Sequence, residues 1–166
     1  MNLAEYKGVY VFAQQVDNEL SGIAFELLGK AKELAADLST DVTAVLIGSG
    51  VKGLADQLAE YGADKVIVVD DPELKEYRTE PYTHAIASVI KEFKPEIFLI
   101  GATAIGRDLG PRCAARLHTG LCADCTHLDV NTKVYQDFLG EASTLAPERI
   151  AGTDTAMVMG EKKEVG

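Results

Sequence analysis

The chain has 166 residues, of which 47% are apolar, and its 26 acidic against 16 basic residues give a formal net charge of −10. This size and composition predict a well-packed domain and exclude wholesale disorder. An acidic surface repels phosphate backbones, so general nucleic-acid binding is not expected. No apolar run approaches the ~20 residues that span a bilayer, and the first eight residues lack a signal-peptide pattern. We therefore expect a cytoplasmic protein without membrane insertion.

Strand and helix patterns alternate along most of the chain. Short runs rich in β-branched and aromatic residues predict strands at 8–13, 42–47, 65–70 and 97–100. Apolar residues at helical spacing predict helices at 21–38, 51–61, 81–93 and 106–117. A polar loop containing Asp17 and Asn18 follows the first strand. The weaker patterns further on indicate a short strand at 122–128, a short helix at 135–142 and a brief strand at 157–159.

The predicted strands are continuously apolar and do not alternate apolar with polar residues. Strands of this kind are buried on both faces, which is typical of a parallel sheet covered by helices. The sequence therefore predicts an α/β fold of three layers, with a mostly parallel sheet and helices on both faces. This is the Rossmann-like or adenine-nucleotide-hydrolase-like class. We assign it to residues 1–130, and we interpret residues 131–166 as a linker or as a cut inside a longer protein.

The run from Ile97 to Leu117 is the most informative part of the chain, because it combines a strand, a tight turn and a helix. An apolar run reaches Gly101, small residues follow, and Gly106 precedes the helical spacing. In α/β proteins this arrangement places ligand groups at a helix N-terminus. The spacing Gly-x-x-x-x-Gly-Arg is similar to that of a phosphate loop. Arg107 and Asp108 stand where that loop needs Lys and Ser or Thr, so this is not an NTPase loop.

Cys122 and Cys125 form a Cys-x-x-Cys pair, with Cys113, His118 and His127 close in sequence. The pair could be a metal or redox site, or simply two small packing residues. Packing is the favoured interpretation, because a structural zinc site usually needs two such pairs. Cys113 falls in the apolar register of its helix and is expected in the core. We predict no metal ligands, and no acidic pair or Ser-His-Asp set indicates a catalytic residue.

Taken with its flanks, the segment Gly101-Ala-Thr-Ala-Ile-Gly-Arg-Asp-Leu-Gly-Pro-Arg-Cys-Ala-Ala-Arg-Leu117 resembles the N-terminal domain of the electron-transfer flavoprotein alpha subunit. The similarity extends from Met1 to about Val130. It includes Val9-Tyr-Val-Phe-Ala-Gln14, Gly62-Ala-Asp-Lys-Val66 and Thr119-Gly-Leu-Cys-Ala-Asp-Cys-Thr126. The opening eight residues and Thr119-Gly-Leu are similar to the anaerobic, electron-bifurcating branch of that family.

The resemblance implies a heterodimer of alpha and beta subunits that carries electrons between dehydrogenases, or NADH in the bifurcating branch, and acceptors. It implies an electron carrier and not an enzyme. This domain would dock the beta subunit and line its flavin or nucleotide cleft, and an acyl-CoA dehydrogenase-type protein would be a further partner. The FAD would lie mainly in a C-terminal domain, of which residues 131–166 would be a truncated start. We therefore expect FAD in the heterodimer and none on this chain alone.

By the same resemblance the turn would face the beta-subunit cleft, and its cofactor-binding candidates are Gly101, Ala102, Thr103, Gly106 and Arg107. Glycine at 101 permits close approach of backbone, Thr103 offers a hydroxyl, and Arg107 is a permanent cation. For Arg107 the alternative is a structural ion pair with Asp108 or with an acid of the partner. Arg112 and Arg116 are interpreted as interface or surface residues.

Two other functions stay open at this point. One is a stand-alone adenine-nucleotide-binding protein of the same architecture, which would bind nucleotide as an isolated chain. The other is a metal or thiol redox protein built on Cys122 and Cys125.

Overall fold

The structure is a computed structural model that describes residues 3–142. The chain divides into two compact units, Met1–Leu121 and Cys122–Gly166. The strands are β1 (Val9–Ala13), β2 (Gln15–Val16), β3 (Glu19–Leu20), β4 (Val42–Gly48), β5 (Lys65–Asp70) and β6 (Ile97–Leu99). The helices are α1 (Gly22–Leu38), α2 (Ala55–Glu60), α3 (Thr79–Phe93), α4 (Ala104–Leu117) and α5 (Thr132–Ala142). Short 3-10 turns cover Leu3–Glu5, Lys52–Leu54 and Pro72–Leu74.

The main sheet of the first unit has four parallel strands in the order β5-β4-β1-β6. Its register places Tyr10 of β1 between Thr43 of β4 and Phe98 of β6. From β1 the chain moves outward through β4 to β5, and then crosses back to add β6 on the other side of β1. The strand order therefore reverses between β1 and β6. This reversal is the point at which open parallel sheets form a crevice beyond their carboxyl ends.

Helices cover both faces of the sheet, because successive side chains of a strand point to opposite faces. On one face Tyr10 and Phe12 of β1 share a buried cluster with Ile86 of α3 and Leu109 of α4. On the other face α1 packs on β1 and β4 through a stripe of buried residues, namely Ala24, Leu28, Ala31, Leu34 and Ala35. The predicted three-layer, mostly parallel, Rossmann-like α/β fold is confirmed.

The continuous burial that the sequence predicts holds for β1 and β4, in which every residue is buried. Strand β5 departs from it, since Val66 to Asp70 are only half-buried and Lys65 is exposed. The physical reason is its position at the edge of the sheet, where one side of the strand has no neighbour within the described residues.

Most predicted elements begin and end within two residues of the observed ones, but several predictions were wrong. The polar loop after β1 is a β2–β3 hairpin, in which Asp17 and Asn18 take positive φ values of 53° and 61° as in a tight hairpin turn. The helix expected at 51–61 is a 3-10 turn followed by the short α2. The strand expected at 122–128 is absent, and that segment is neither helix nor strand. Helix α5 starts at Thr132, three residues before 135. The strand expected at 157–159 lies outside the described residues.

Replacing Leu109 tests the packing of α4. Its side chain is 0% exposed in the core cluster, so Leu109→Ala should lower the free energy of unfolding by about 2–5 kcal/mol. Leu121→Ala is the control, because Leu121 is 50% exposed and should cost less than about 1 kcal/mol. Urea unfolding followed by far-UV circular dichroism measures both. Equal losses would contradict the packing described here.

Candidate functional site

The turn between β6 and α4 lies beside the carboxyl end of β1, at the strand-order reversal. Thr103 connects the two, because its Oγ1 donates a hydrogen bond of 2.6 Å to Oε1 of Gln14. Gln14 directly follows β1 and is only 9% exposed. One hydroxyl therefore fixes the position of the turn relative to the central strand of the sheet.

Thr103 also begins helix α4. Its φ of −80° and ψ of 174° are those of an N-cap residue, and its Oγ1 accepts a bond from the backbone N–H of Gly106 at 3.1 Å. The backbone N–H of Arg107 donates to the carbonyl of Thr103 at 2.8 Å, which closes the first helical turn. The same hydroxyl thus satisfies one of the unpaired amides of the helix start and bridges to β1.

Both glycines of the turn lie in close packing that leaves little room for a Cβ. A Cβ at position 106 would lie 1.8 Å from the carbonyl oxygen of Gly101. A Cβ at position 101 would lie 2.4 Å from Cγ1 of Ile23, which belongs to α1. The close neighbour of Gly101 within the folded chain is thus a side chain, and the close approach of a ligand to its backbone stays a prediction.

The five predicted site residues are brought together in one turn, with unequal access to solvent. Gly101 and Gly106 are buried, Thr103 is half-buried, and Ala102 and Arg107 are exposed. The Nε of Arg107 donates to the carbonyl of Ala102 at 3.2 Å, so the side chain folds back over the turn. Ala102, Thr103 and Arg107 are therefore the members that can contact another molecule.

Asp108 is a junction between α4 and the start of α3. Its Oδ2 accepts from the hydroxyls of Tyr77 at 2.6 Å and Thr79 at 2.5 Å, and its Oδ1 accepts from Nε of Arg112 at 3.3 Å. Asp108 thus forms an ion pair with Arg112, four residues along the helix. Arg116 pairs with Glu80 of α3.

This junction shifts two pKa values in opposite directions. The hydrogen bonds from Thr79 and then Tyr77 hold the pKa of the Asp108 carboxyl below its ordinary value. Burial, followed by the hydrogen bond to Asp108, raises the pKa of Tyr77 to about 12. The junction is therefore a neutral phenol donating to an ionised carboxylate across the neutral pH range.

A cleft of about 460 Å³, including the part open to solvent, lies next to the turn. Its floor is formed by Phe12 and the two glutamines after β1, and its wall includes Tyr77 and Ile105. Gln15 is fixed at both ends, since its Nε2 donates to the carbonyl of Ile47 at 3.1 Å and its Oε1 accepts from the amide of Asn18 at 3.0 Å.

Sequence reasoning did not assign Gln14, Gln15 or Tyr77 to the site. A signal for the glutamines was present, because two polar residues directly follow a fully apolar strand at the edge where ligands collect. No such signal existed for Tyr77, whose place depends on Asp108, thirty-one positions away.

The cysteines occupy two different environments. Cys113 is buried at 3% exposure, as predicted for a core residue. Cys125 is half-buried and Cys122 is exposed, so the packing interpretation was wrong for Cys122. Within the part of the chain that the structure describes, no group of three His, Cys, Asp or Glu side chains could hold a metal ion.

The turn has too few groups to hold a whole dinucleotide, although it could contact one edge of a flavin. It offers the guanidinium of Arg107 and the exposed residue Ala102, whereas the Thr103 hydroxyl is already bonded on two sides. The residues that line the adjacent cleft include two acids, Asp17 and Glu76, and one base, Lys75. This excess of negative charge does not favour binding of a pyrophosphate.

None of the described helices has the length and apolar character needed to cross a membrane.

Gly106→Ala tests whether the turn depends on close packing. The added methyl would collide with the Gly101 carbonyl, so the free energy of unfolding should fall by about 3 kcal/mol or more. Gly29→Ala in the middle of α1 is the control, because a Cβ at position 29 would have no neighbour within 4 Å. That variant should be unchanged, or more stable by about 0.5–1 kcal/mol. Chemical denaturation measures both, and a Gly106→Ala variant as stable as Gly29→Ala would refute the geometry.

Asp108→Asn tests the junction by its pH dependence. Because the folded pKa of Asp108 is lowered, its contribution to stability is fully present above its ordinary pKa of 3.8 and is lost as the pH falls below it. The variant should be less stable than the unmodified chain at pH 7. The difference between their free energies of unfolding should become smaller between pH 5 and pH 3, about where an unfolded aspartate titrates. Urea titrations across this range measure the difference. A difference that stays constant down to pH 3 would show that the carboxylate charge has no role.

The sequence matches a family model and several known proteins over most of its length. Residues 9–138 match the family described as "Electron transfer flavoprotein domain". The chain is 52% identical over 133 residues to the electron transfer flavoprotein subunit alpha of Clostridium acetobutylicum, covering 80% of this chain and 40% of the relative. It is 49% identical over 144 residues to the acryloyl-CoA reductase electron transfer subunit beta of Anaerotignum propionicum, covering 87% of this chain and 39% of the relative.

A further relative is the subunit LctC of the lactate dehydrogenase (NAD(+),ferredoxin) of Acetobacterium woodii. It is 45% identical over 133 residues, which cover 79% of this chain and 32% of the relative. The chain thus spans about 40% or less of the length of these curated relatives. The names of the first two relatives agree with the prediction of an electron carrier, because both are electron transfer subunits. The family match and these identities together show that the chain belongs to the electron transfer flavoprotein family, on the side of its alpha-type subunits.

Proposed function

We propose that the chain is the N-terminal domain of an alpha-type electron-transfer flavoprotein subunit, which docks a beta-type subunit. The assembled pair carries electrons between a dehydrogenase, of the acyl-CoA type for example, or NADH and an acceptor. The names of two relatives support this, since they refer to an acryloyl-CoA reductase and to an NAD(+)- and ferredoxin-dependent lactate dehydrogenase. The NAD(+) and ferredoxin in the second name also support a place in the electron-bifurcating branch. We further propose a cytoplasmic location.

The docking edge of this domain is the turn at 101–107, which lines the flavin or nucleotide cleft of the beta-type subunit. The observation that carries this proposal is the Thr103–Gln14 hydrogen bond at the strand-order reversal. It holds the exposed Ala102 and Arg107 at the carboxyl edge of the sheet, where α/β domains contact their ligands. Arginine is enriched at interfaces, and a guanidinium there can bond a carboxylate or the carbonyl edge of a flavin.

The FAD belongs to the complex and not to this domain alone. The turn offers one cationic side chain and a short stretch of exposed backbone, which is too little to enclose an isoalloxazine and a pyrophosphate together. The residues that enclose it belong to the beta-type subunit and to a C-terminal FAD domain, of which residues 131–166 form a linker or the start. When bound, the flavin supplies the redox chemistry, and this chain contributes position and positive charge at its edge.

The visible absorption spectrum of the purified chain tests this division of roles. The chain alone should be colourless, and flavin absorbance should co-elute with it only after a beta-type subunit and a full-length alpha-type FAD domain are present. Gel filtration with detection at flavin wavelengths makes the measurement. Stoichiometric flavin on the isolated chain would reverse the roles proposed here, and tight adenine-nucleotide binding by the chain alone would favour a stand-alone nucleotide-binding protein.

Arg107→Ala tests the docking edge. Removing the guanidinium should weaken binding of the beta-type subunit about tenfold or more, which corresponds to about 1.4 kcal/mol. Stability should change little, since Arg107 is exposed. The control is Lys65→Ala, which removes the same charge at the opposite end of the sheet, where Lys65 pairs with Asp41. Titration calorimetry gives both dissociation constants. Equal affinities for the two variants, or unfolding of Arg107→Ala, would remove the role assigned to Arg107.

A further inference from the structure

The Cys122–Cys125 pair is not used by the proposed function. It opens the second compact unit of the chain and lies in a segment without helix or strand. The Sγ of Cys125 donates to the carbonyl oxygen of Cys122 at 3.3 Å, and the Cys122 side chain is near enough to contribute to the raised pKa of the Cys125 thiol. The turn is closed by Asp124, whose φ of 53° lies in the left-handed region. The two sulfur atoms therefore converge although three peptide bonds separate their residues.

The two thiols are open to reagents, unlike the third cysteine. Cys122 is exposed and Cys125 is half-buried, whereas Cys113 is buried at 3% exposure within α4. None of the three forms a disulfide in this structure. Exposed vicinal pairs are the ones that exchange readily, because a reagent can reach one sulfur and the second is already in place to displace it.

The surroundings of Cys122 and Cys125 favour disulfide formation over metal binding. Tetrahedral zinc needs four ligands, or three and a water, and among the described residues no group of three His, Cys, Asp or Glu side chains is arranged to hold a metal ion. Two thiols alone can instead form one covalent bond with each other. That bond, of about 2 Å between the two sulfurs, would close a loop within this turn.

We propose that Cys122 and Cys125 form a reversible disulfide by exchange with low-molecular-weight disulfides. The Cys122 thiolate attacks one sulfur of a disulfide RSSR, forming a mixed disulfide and releasing RS⁻. The Cys125 thiolate then attacks the Cys122 sulfur, forming the intrachain bond and releasing the second RS⁻. The two protons of the cysteines end on the two RSH molecules, so the protein is oxidised by two electrons and the reagent is reduced by two. A dithiol reverses both steps.

The order of attack follows from the surroundings of the sulfurs. Burial, and then the hydrogen bond with Cys122, raise the pKa of Cys125 to about 11, so its thiolate is scarce before the first exchange. The exposed Cys122 therefore reacts first with a reagent from solution. Cys125 reacts second because its partner sulfur is held beside it, where the effective concentration is far above that of any free thiol.

Oxidised glutathione and intact-mass spectrometry test the proposal on the full chain. The mass should fall by two hydrogens, the loss should map to the tryptic peptide spanning residues 117–133, and dithiothreitol should restore it. Cys113 should stay unmodified as an internal reference. Stable glutathione adducts on the unmodified chain, a link to Cys113, or reaction no faster than that of Cys113 would each overturn the proposal.

Single serine variants separate the two steps. Cys125→Ser should stop at the mixed disulfide, so it gains one glutathione on Cys122. Cys122→Ser should react at least about tenfold more slowly, because only the partly buried thiol with the raised pKa remains. Equal rates for the two variants would contradict the order of attack. The change of mass of the unmodified chain with oxidised glutathione decides the proposal even if a serine variant folds poorly.

Discussion

The carbonyl oxygen of Gly101 lies where a side chain at position 106 would have to begin, and the rest of the site depends on that contact. Only glycine at 106 lets helix α4 start so close to the end of β6. With the helix in this place, the Thr103 hydroxyl reaches both the amide of Gly106 and the side chain of Gln14. The exposed Arg107 lies one helical turn after Thr103. A backbone contact thus determines where a cation stands at the carboxyl edge of the sheet.

The arginines along α4 have different roles, which the net charge of the chain does not reveal. Arg112 pairs with Asp108 within α4, and Arg116 connects α4 to α3 by its ion pair with Glu80. Asp108 in turn receives the hydroxyls of Tyr77 and Thr79, which fixes the start of α3. Of the three arginines of α4, Arg112 and Arg116 therefore pair with acids of α4 and α3, and only Arg107 stands on the turn. This is consistent with an acidic protein that uses local positive charge at one edge.

Much of this fold follows from the sequence, and the exceptions have physical causes. Fully apolar strands such as β1 and β4 predict a parallel sheet covered on both sides, because no polar face remains for water. The turn at 101–107 could be located, since glycine spacing is a local property. Contacts between residues distant in sequence could not be predicted in this way. The Gln14–Thr103 and Tyr77–Asp108 hydrogen bonds depend on the order of the strands in the sheet. The hairpin at Asp17 and Asn18 was missed because its turn lacks the glycine that usually marks one.

Hydrogen–deuterium exchange of the chain, with and without a beta-type subunit, tests the central claim most directly. The claim is that the edge built by the Gly101–Gly106 contact is the surface that meets the partner. It predicts slower exchange on binding for the amides of residues 101–107, with little change at the amino-terminal end of the sheet. Slower exchange confined to the open edge at β5, with the turn unchanged, would contradict it.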